Sequence, residues 1–405
     1  MYILSKVLDS PSICIVTDNI FPDLKGGGEE RFLNDFTNYL ARKNISVTVI
    51  SPARVTTTKK TSDVGINPFR LPFVGLTPFL LFFSVAAAVK IILLHKQRNF
   101  FLIHSMSTGY GGLAGLFASK ILRLPFFAHS HCKRAHDLKL AILLRNSNAR
   151  HVVSLYEGFE SSIDLLVSKN ADLVIAVSAE IRNYLTSLGV PSNRVTVNPV
   201  GLDADSFESK EKDREEGRQE FGILPNAFVI GYIGTLSTVK GVPVLIKAFS
   251  LFQNRADLNL HLLLVGAGEQ KKEMENMVGS MMLRNVTFAG FRKDVSKLLA
   301  TMDVFVLPSF SEGCPYSLLE ALAAGKAIIA NDIPGIRALV QNEQDGILVR
   351  PNDHKMIVRA ILRLYYDPHL REKLCENAKR KAKQYDMNVS FNRIVSFYDH
   401  YKRRN

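Results

Sequence analysis

Three charged residues in the second half of the chain have the types and spacing for binding a phosphorylated sugar. Glu312 and Glu320 stand in Phe305-Val-Leu-Pro-Ser-Phe-Ser-Glu312-Gly-Cys-Pro-Tyr-Ser-Leu-Leu-Glu320-Ala-Leu-Ala-Ala-Gly325. The apolar run reads as a strand ending at Pro308, the polar stretch as a loop, Pro315 as the first turn of a helix and Gly325 as its stop. Glu312 then precedes the helix start, and Glu320 lies about one turn beyond the amides of Tyr316, Ser317 and Leu318. Carboxylates accept hydrogen bonds from neighbouring hydroxyls, and a helix start attracts phosphate. One glutamate is suited to a sugar and the other to a ribose. Lys240, in Ile230-Gly-Tyr-Ile-Gly234-Thr-Leu-Ser-Thr-Val-Lys240-Gly241, supplies a compact cation for a diphosphate.

Two further groups lie in the first half. Gly26-Gly27-Gly28 follows a strand and opens a helix, so backbone can approach a ligand closely there. His129 and His131 stand just past another strand, where an imidazole can bind an acceptor or stabilise charge. Gly266-Ala-Gly268 also follows a strand, yet it lacks the third glycine of a dinucleotide fingerprint and the Lys-Ser/Thr of a P-loop. It reads as lining the same binding edge. Gly111–Gly115 reads as close helix packing. Asp203-Ala-Asp205 has no further ligand cluster, so no metal is expected.

The elements that must position these residues alternate. Strands are predicted at Ile13–Thr17, Val47–Ser51, Phe100–His104, Pro125–His129, Leu173–Val177 and Arg194–Asn198. A second series follows at Val229–Ile233, Leu260–Val265, Val286–Ala289, Val304–Leu307 and Ala327–Ala330. The helical segments between them imply α/β architecture with mainly parallel, doubly wound sheets. Ligands of such sheets bind beyond the carboxyl ends of the strands. A charged stretch, Glu208–Gly217, separates the two series. It sets the expected domains at 1–205, 206–383 and a terminal helix, 384–405, packing back on the first.

The chain has 405 residues, more than one core usually serves, and 47% of them are hydrophobic. Disorder is thereby excluded. A net charge of +13 suits anionic partners. No zinc-finger, RNP or basic-zipper pattern supports nucleic acid. Cys14, Cys132, Cys314 and Cys375 are far apart, as free thiols of a reducing compartment would be. Met1–Ser10 carries charges where a secretory signal would have its apolar core. Between Leu76 and Leu94 only Lys90 is charged. That segment fits a core helix, a membrane-docking helix or a span; the next strand, Phe100–His104, must rejoin the same sheet, which favours a helix packed on the sheet with one face free for a membrane.

In order along the chain these motifs resemble glycosyltransferase family 4, retaining enzymes of the GT-B fold with two Rossmann-like domains facing a cleft. The resemblance runs through Gly26-Gly-Gly-Glu-Glu, His129-Ser-His131, Asp172-Leu-Val-Ile-Ala-Val-Ser178, Asn198-Pro-Val-Gly-Leu-Asp203, Lys240-Gly241, Gly266-Ala-Gly268 and Glu312-x7-Glu320. It implies a nucleotide-diphosphate sugar as co-substrate, no metal or other cofactor, and a glycan acceptor, lipid-linked in view of the basic and apolar surface. By that resemblance Lys240 holds the diphosphate, Glu320 the ribose and Glu312 the donor sugar, with backbone of Gly313, Ser317 and Leu318 nearby. Gly26, Gly27 and Gly28 close over the diphosphate, Arg292 lies where the base is met, and His131 matches the active-site histidine, with His129 in reserve. Thr235 stands where the family often has arginine, and Arg337 follows Pro-Gly-Ile where it often has glutamate. The expected setting is cytoplasmic, on the inner face of the cell membrane. The rival readings are a GT-B-shaped nucleotide-sugar epimerase and a catalytically silent nucleotide-sugar-binding protein.

Overall fold

The computed structural model describes residues 12–19, 27–52, 64–66, 76–132, 140, 150–208 and 211–402. Their contacts divide them into two compact units. The first takes in the described residues up to Pro199 and again from Ser390; the second holds Val200–Val389.

In the first unit the order is β1 (Ser12–Val16), α1 (Gly28–Arg42), β2 (Ser46–Pro52), β3 (Val64–Ile66), α2 (Leu76–Arg98), β4 (Phe100–Ser105), α3 (Tyr110–Leu122), β5 (Phe126–Ser130), α4 (Arg150–Asn170), β6 (Leu173–Ala176), α5 (Ala179–Ser187) and β7 (Val195–Val197). The strands form one seven-stranded sheet, order β3-β2-β1-β4-β5-β6-β7, with parallel pairing throughout. All five residues of β1 are buried, which is why its sequence is an unbroken apolar run: helices cover both faces of a parallel sheet. Helix α1 lays Phe32, Leu33, Phe36 and Leu40 into the core and carries Glu29 and Glu30 in its first turn, where carboxylates suit the helix dipole.

The second unit runs α6 (Glu211–Glu220), β8 (Phe228–Ile233), α7 (Val242–Ser250), β9 (Leu260–Val265), α8 (Lys271–Ser280), β10 (Val286–Gly290), α9 (Val295–Thr301), β11 (Val304–Leu307), α10 (Tyr316–Ala323), β12 (Ala327–Asn331), α11 (Pro334–Arg337), β13 (Ile347–Val349), α12 (His354–Tyr366) and α13 (Pro368–Ala382). Its six strands are ordered β10-β9-β8-β11-β12-β13, all parallel. Helix α12 buries Ile357, Ala360, Ile361 and Leu364, a single stripe, and is capped by Asp353 accepting from the Met356 amide at 3.0 Å. Each of its large stripe residues contributes roughly 1.5–3 kcal/mol by burial.

The last helix, α14 (Met387–Lys402), belongs from Ser390 onward to the first unit. Phe391 packs edge-on against Phe32 at 5.4 Å and tilted against Phe36 at 5.1 Å, and Tyr39 donates to Asn392.

Two details go beyond the sequence reading. Strands β3 and β13 were not anticipated, being only three residues each. The charged stretch after Glu208, read only as the divide between the two series, forms α6, which buries Gly217 and Arg218. Arg218 is admitted to the interior because Asp303 accepts from its Nη2 at 2.8 Å and three carbonyls, of Leu224, Pro225 and Ala227, lie around its Nη1 as acceptors.

The apolar segment forms α2, whose Phe83, Ala87 and Ile91 are buried and which packs on β1, β2 and α3. Leu80–Arg98 is long and apolar enough to cross a membrane. Its inner face is nevertheless occupied by the sheet, so it is a helix of the fold with one free face.

Candidate active site

The second unit gathers most of the predicted residues at the carboxyl edge of its sheet. After β8 the chain passes Gly234 and Thr235, makes a 3-10 turn at Thr238–Lys240 and enters α7 through Gly241. Gly241 has φ +66°, and a Cβ there would lie 2.1 Å from the Pro308 carbonyl oxygen, so only glycine fits. Close approach to the β11 loop brings Lys240 Nζ to 2.7 Å from Glu312 Oε1. The Glu312 side chain is 7% exposed and that of Lys240 27%. Lysine and carboxylate, 72 residues apart in sequence, thus form one ion pair.

The loop holding Glu312 is braced from below. Asn331, at the end of β12, donates from Nδ2 to the carbonyls of Pro308 at 2.8 Å and Ser309 at 3.0 Å. Gly335 lets α11 approach: a Cβ there would meet the Glu312 carbonyl oxygen at 2.0 Å. Cys314, next along the loop, has its thiol pushed up to about 12 by burial and is inert. Pro315 is the N-cap of α10, which starts at Tyr316, and the Leu318 amide donates to the Pro315 carbonyl at 3.2 Å. Leu318 is fully buried, which fixes the helix start, while Glu320, one turn on, is 3% exposed. A carboxylate rarely sits so deep without a function or a partner.

Gly266, φ +143°, ends β9 against Gly234, and a Cβ on Gly268 would strike the Leu236 carbonyl oxygen. The loops after β8, β9 and β11 therefore touch through backbone. Two polar atoms at this edge are buried without a hydrogen-bond partner, Ser309 Oγ and Gln270 Oε1. Such orphans are uncommon in native interiors and fit a site that a ligand completes.

Other predicted residues are engaged in contacts of their own. The Arg292 guanidinium, beyond β10, is held by Asp294, with Nε–Oδ1 at 2.8 Å, and by Glu220, and lies over the Phe221 ring. Thr235 is exposed and takes a hydrogen bond from Tyr232 Oη, 2.8 Å, on its carbonyl. Gly26 lies outside the described residues; Gly27 caps α1 and Gly28 begins it.

In the first unit His129 is the penultimate residue of β5 and His131 follows the strand. Their rings stack at 4.3 Å and 15°, and His129 stacks on His104 of β4 at 5.6 Å and 6°. Burial holds His131 down at about 4 and, with His131 beside it, His104 at about 3; His129 is pushed well below the ordinary histidine range by the same burial. All three rings are neutral near pH 7. His104 and its partner Tyr398 were missed by sequence reading. Strand parity carried the signal: His104 pairs in register with Phe127, so its side chain shares a face with Phe127, His129 and His131. Asn331 and Arg218 were missed as well, being polar residues inside or beside apolar runs.

Two doubly wound parallel sheets in tandem, with a lysine–carboxylate pair at the carboxyl edge of the second, define a GT-B type protein of the α/β class. Residues 26–206 match the family model described as Glycosyltransferase Family 4, and residues 213–381 match Glycosyl transferases group 1. The chain belongs to this family of glycosyltransferases and is an enzyme of that kind. It is similar to the N,N'-diacetylbacillosaminyl-diphospho-undecaprenol alpha-1,3-N-acetylgalactosaminyltransferase of Campylobacter jejuni, 26% identical over 84% of this chain and 88% of that one. A UDP-Gal:alpha-D-GlcNAc-diphosphoundecaprenol alpha-1,3-galactosyltransferase of Escherichia coli is 26% identical over 73% of this chain and 74% of that one. In fold it resembles the sucrose-phosphate synthase of Thermosynechococcus elongatus, TM-score 0.84 at 18% identity, covering 98% and 100% of the two chains. It also resembles Anabaena HepE in complex with UDP-glucose, TM-score 0.76 at 22% identity, covering 96% and 99%.

Proposed function

We propose that the enzyme transfers a sugar, with retention of anomeric configuration, from a nucleotide-diphosphate sugar to a lipid-linked glycan acceptor at a membrane surface. The observation that carries this reading is the Lys240–Glu312 pair, joined in the same β11–α10 segment by the first turn of α10 and the buried Glu320. Lys240 and the α10 amides receive the diphosphate and stabilise it as it departs, which is where charge builds up in the transition state. Glu312 takes hydroxyls of the donor sugar, and Glu320 takes those of the ribose. His131 serves the reacting sugar as a neutral hydrogen-bonding group. Gly27, Gly28, Gly266, Gly313, Ser317 and Leu318 contribute backbone contacts. Relatives named for UDP-galactose and undecaprenol-diphosphate substrates, and a fold neighbour holding UDP-glucose, support this donor and acceptor chemistry.

A membrane setting is supported by the free face of α2. Phe82, Val85, Val89 and Leu93 there, with Phe117 and Ile121 on α3, are between 51% and 66% exposed. Neither helix contains an acidic residue, and Lys90, Lys96 and Lys120 lie on them. Apolar side chains flanked by cations suit an anionic lipid surface.

The decisive experiment offers the purified enzyme a panel of nucleotide sugars with a polyprenyl-diphosphate sugar acceptor. Nucleoside diphosphate should be released only when acceptor is present, with NMR of the product showing the donor's anomeric configuration. Isomerised donor without acceptor would identify an epimerase, and tight donor binding without any turnover a silent binding protein.

A further inference from the structure

His104, His129 and His131 stand in a single column on one face of the first sheet. The rings of His104 and His129 are almost coplanar in orientation, 6°, and those of His129 and His131 differ by 15°. His104 and His129 are fully buried, whereas His131 is half-buried at the end of the column. Phe32 of α1 lays its edge against His129 at 4.9 Å and His131 at 5.2 Å, and Phe36 its edge against His104 at 6.4 Å. From α14, Tyr398 Oη lies 2.5 Å from His104 Nδ1. From β5, Phe127 closes the remaining side of His104 at 6.1 Å. No charged side chain among the described residues bonds to any ring of the column. His104 Nε2, both nitrogens of His129 and His131 Nε2 are buried without a hydrogen-bond partner.

Three imidazoles are an odd choice for such a place. A buried polar ring without partners costs stability, and an apolar ring of similar shape would pack there at no such cost. We propose that His129, backed by His104 and its anchor Tyr398, is a positioning residue for His131: the stack fixes the plane of the one ring that reaches the surface and shuts water from its inner side. This rests on the reading of His131 as the residue that meets the reacting sugar. Stacking leaves His131 free to turn only about the column, so its outward nitrogen keeps one direction. The dry wall behind it also explains why burial alone holds this ring neutral, able to donate or accept one hydrogen bond but not to carry charge.

Two substitutions separate this role from simple packing. His129→Ala opens space behind His131 and lets water in; His129→Phe restores the wall without any ring nitrogen. In His129→Ala, kcat should fall about tenfold or more, and the acid limb of the kcat/KM profile should move up toward about 6.5, the ordinary histidine value. His129→Phe should restore both toward wild type. An unmoved acid limb in a folded His129→Ala protein would refute the proposal. So would a folded His129→Phe protein as impaired as the alanine variant, since that would give a His129 nitrogen a chemical role. The readout that does not depend on activity is NMR titration of the histidine Cε1–H signals. In wild type and His129→Phe, His131 should stay neutral to below about pH 5. A His131 that titrates near 6.5 in the intact protein overturns the dry column whatever the enzyme transfers, whereas a low-titrating His131 in a protein that proves to transfer no sugar leaves the column standing and sinks only the catalytic reading.

Discussion

Lys240 Nζ and Glu312 Oε1 lie 2.7 Å apart, joining the loop after β8 to the loop after β11 with no substrate required to bring them together. The pair holds the loops together, and under the proposed function it also meets the donor; the two roles can be separated. Lys240→Met leaves a mostly buried carboxylate unpaired and should lower stability by about 1–3 kcal/mol while reducing sugar transfer at least about 100-fold. Adding Glu312→Gln should recover the stability, because both partners are then neutral, and none of the transfer. Urea unfolding and product formation on the single and double variants give the comparison. Recovery of activity in the double variant would reduce the pair to a structural tie.

The node around Asp303 is purely architectural. It accepts from Arg214 and Arg218 at 2.8 Å each and from the Val229 amide at 2.7 Å, fastening α6 to the amino ends of β8 and β11. Asp303→Ala strands the Arg218 guanidinium, whose side chain is 5% exposed. Breaking such a buried pair costs about 3–5 kcal/mol. Chemical denaturation should show a loss of that size, with the donor-binding constant of the folded fraction unchanged.

Lys326 is a cation without an ion-pair partner among the described residues, lining a cavity of about 360 Å³ with Arg214, Arg371 and Cys375 and donating to the Met302 carbonyl at 3.2 Å. Burial pulls its ammonium down to about 8. An unfolded lysine titrates near 10.4, so the unfolded chain binds the proton more tightly, and the charged residue costs stability below about pH 8. The cost fades as pH rises from about 8 through about 10.4. Lys326→Met should therefore raise the melting temperature by about 2–4 °C at pH 7, after allowance for cavity water and the lost hydrogen bond. The gain should shrink on the alkaline side, as differential scanning calorimetry across pH 7–10 would show.

Acid has the corresponding effect on the first unit. His104, His129 and His131 are all depressed below the unfolded value, so their neutral burial is fully favourable above about pH 6.5 and is lost as pH falls toward their folded values, about 3 for His104 and about 4 for His131. Each contributes a slope of up to about 1.4 kcal/mol per pH unit in that window. His129→Phe, with one imidazole fewer, should show a shallower decline between pH 6 and 4 than wild type. Equal slopes would mean that His129 titrates normally.

The sequence made the sheets legible because parallel strands buried on both faces must be apolar throughout: β1, β8 and β11 could be nothing else. Lys240, Glu312 and Glu320 were legible because Pro315, Gly241 and Gly325 mark the turns around them. What escaped notice were polar residues whose partners are distant in the chain. Arg218 finds Asp303 85 residues away, and His104 finds Tyr398 294 residues away. No local pattern encodes those distances; only the folded sheet does. The short β3 and β13 escaped because three residues carry too little periodicity to be read.

The glycines that let neighbouring segments of the second unit touch have a bearing on redesign. A methyl group at Gly241, Gly266, Gly268 or Gly335 would collide with main-chain atoms of a neighbouring loop, not with a side chain able to swing aside. These segments are keyed to one another like wards in a lock, and transplanting any one of them from a relative would jam the rest. Altered donor preference is better sought by exchanging side chains that project from this fixed scaffold, or by moving the whole set of loops together.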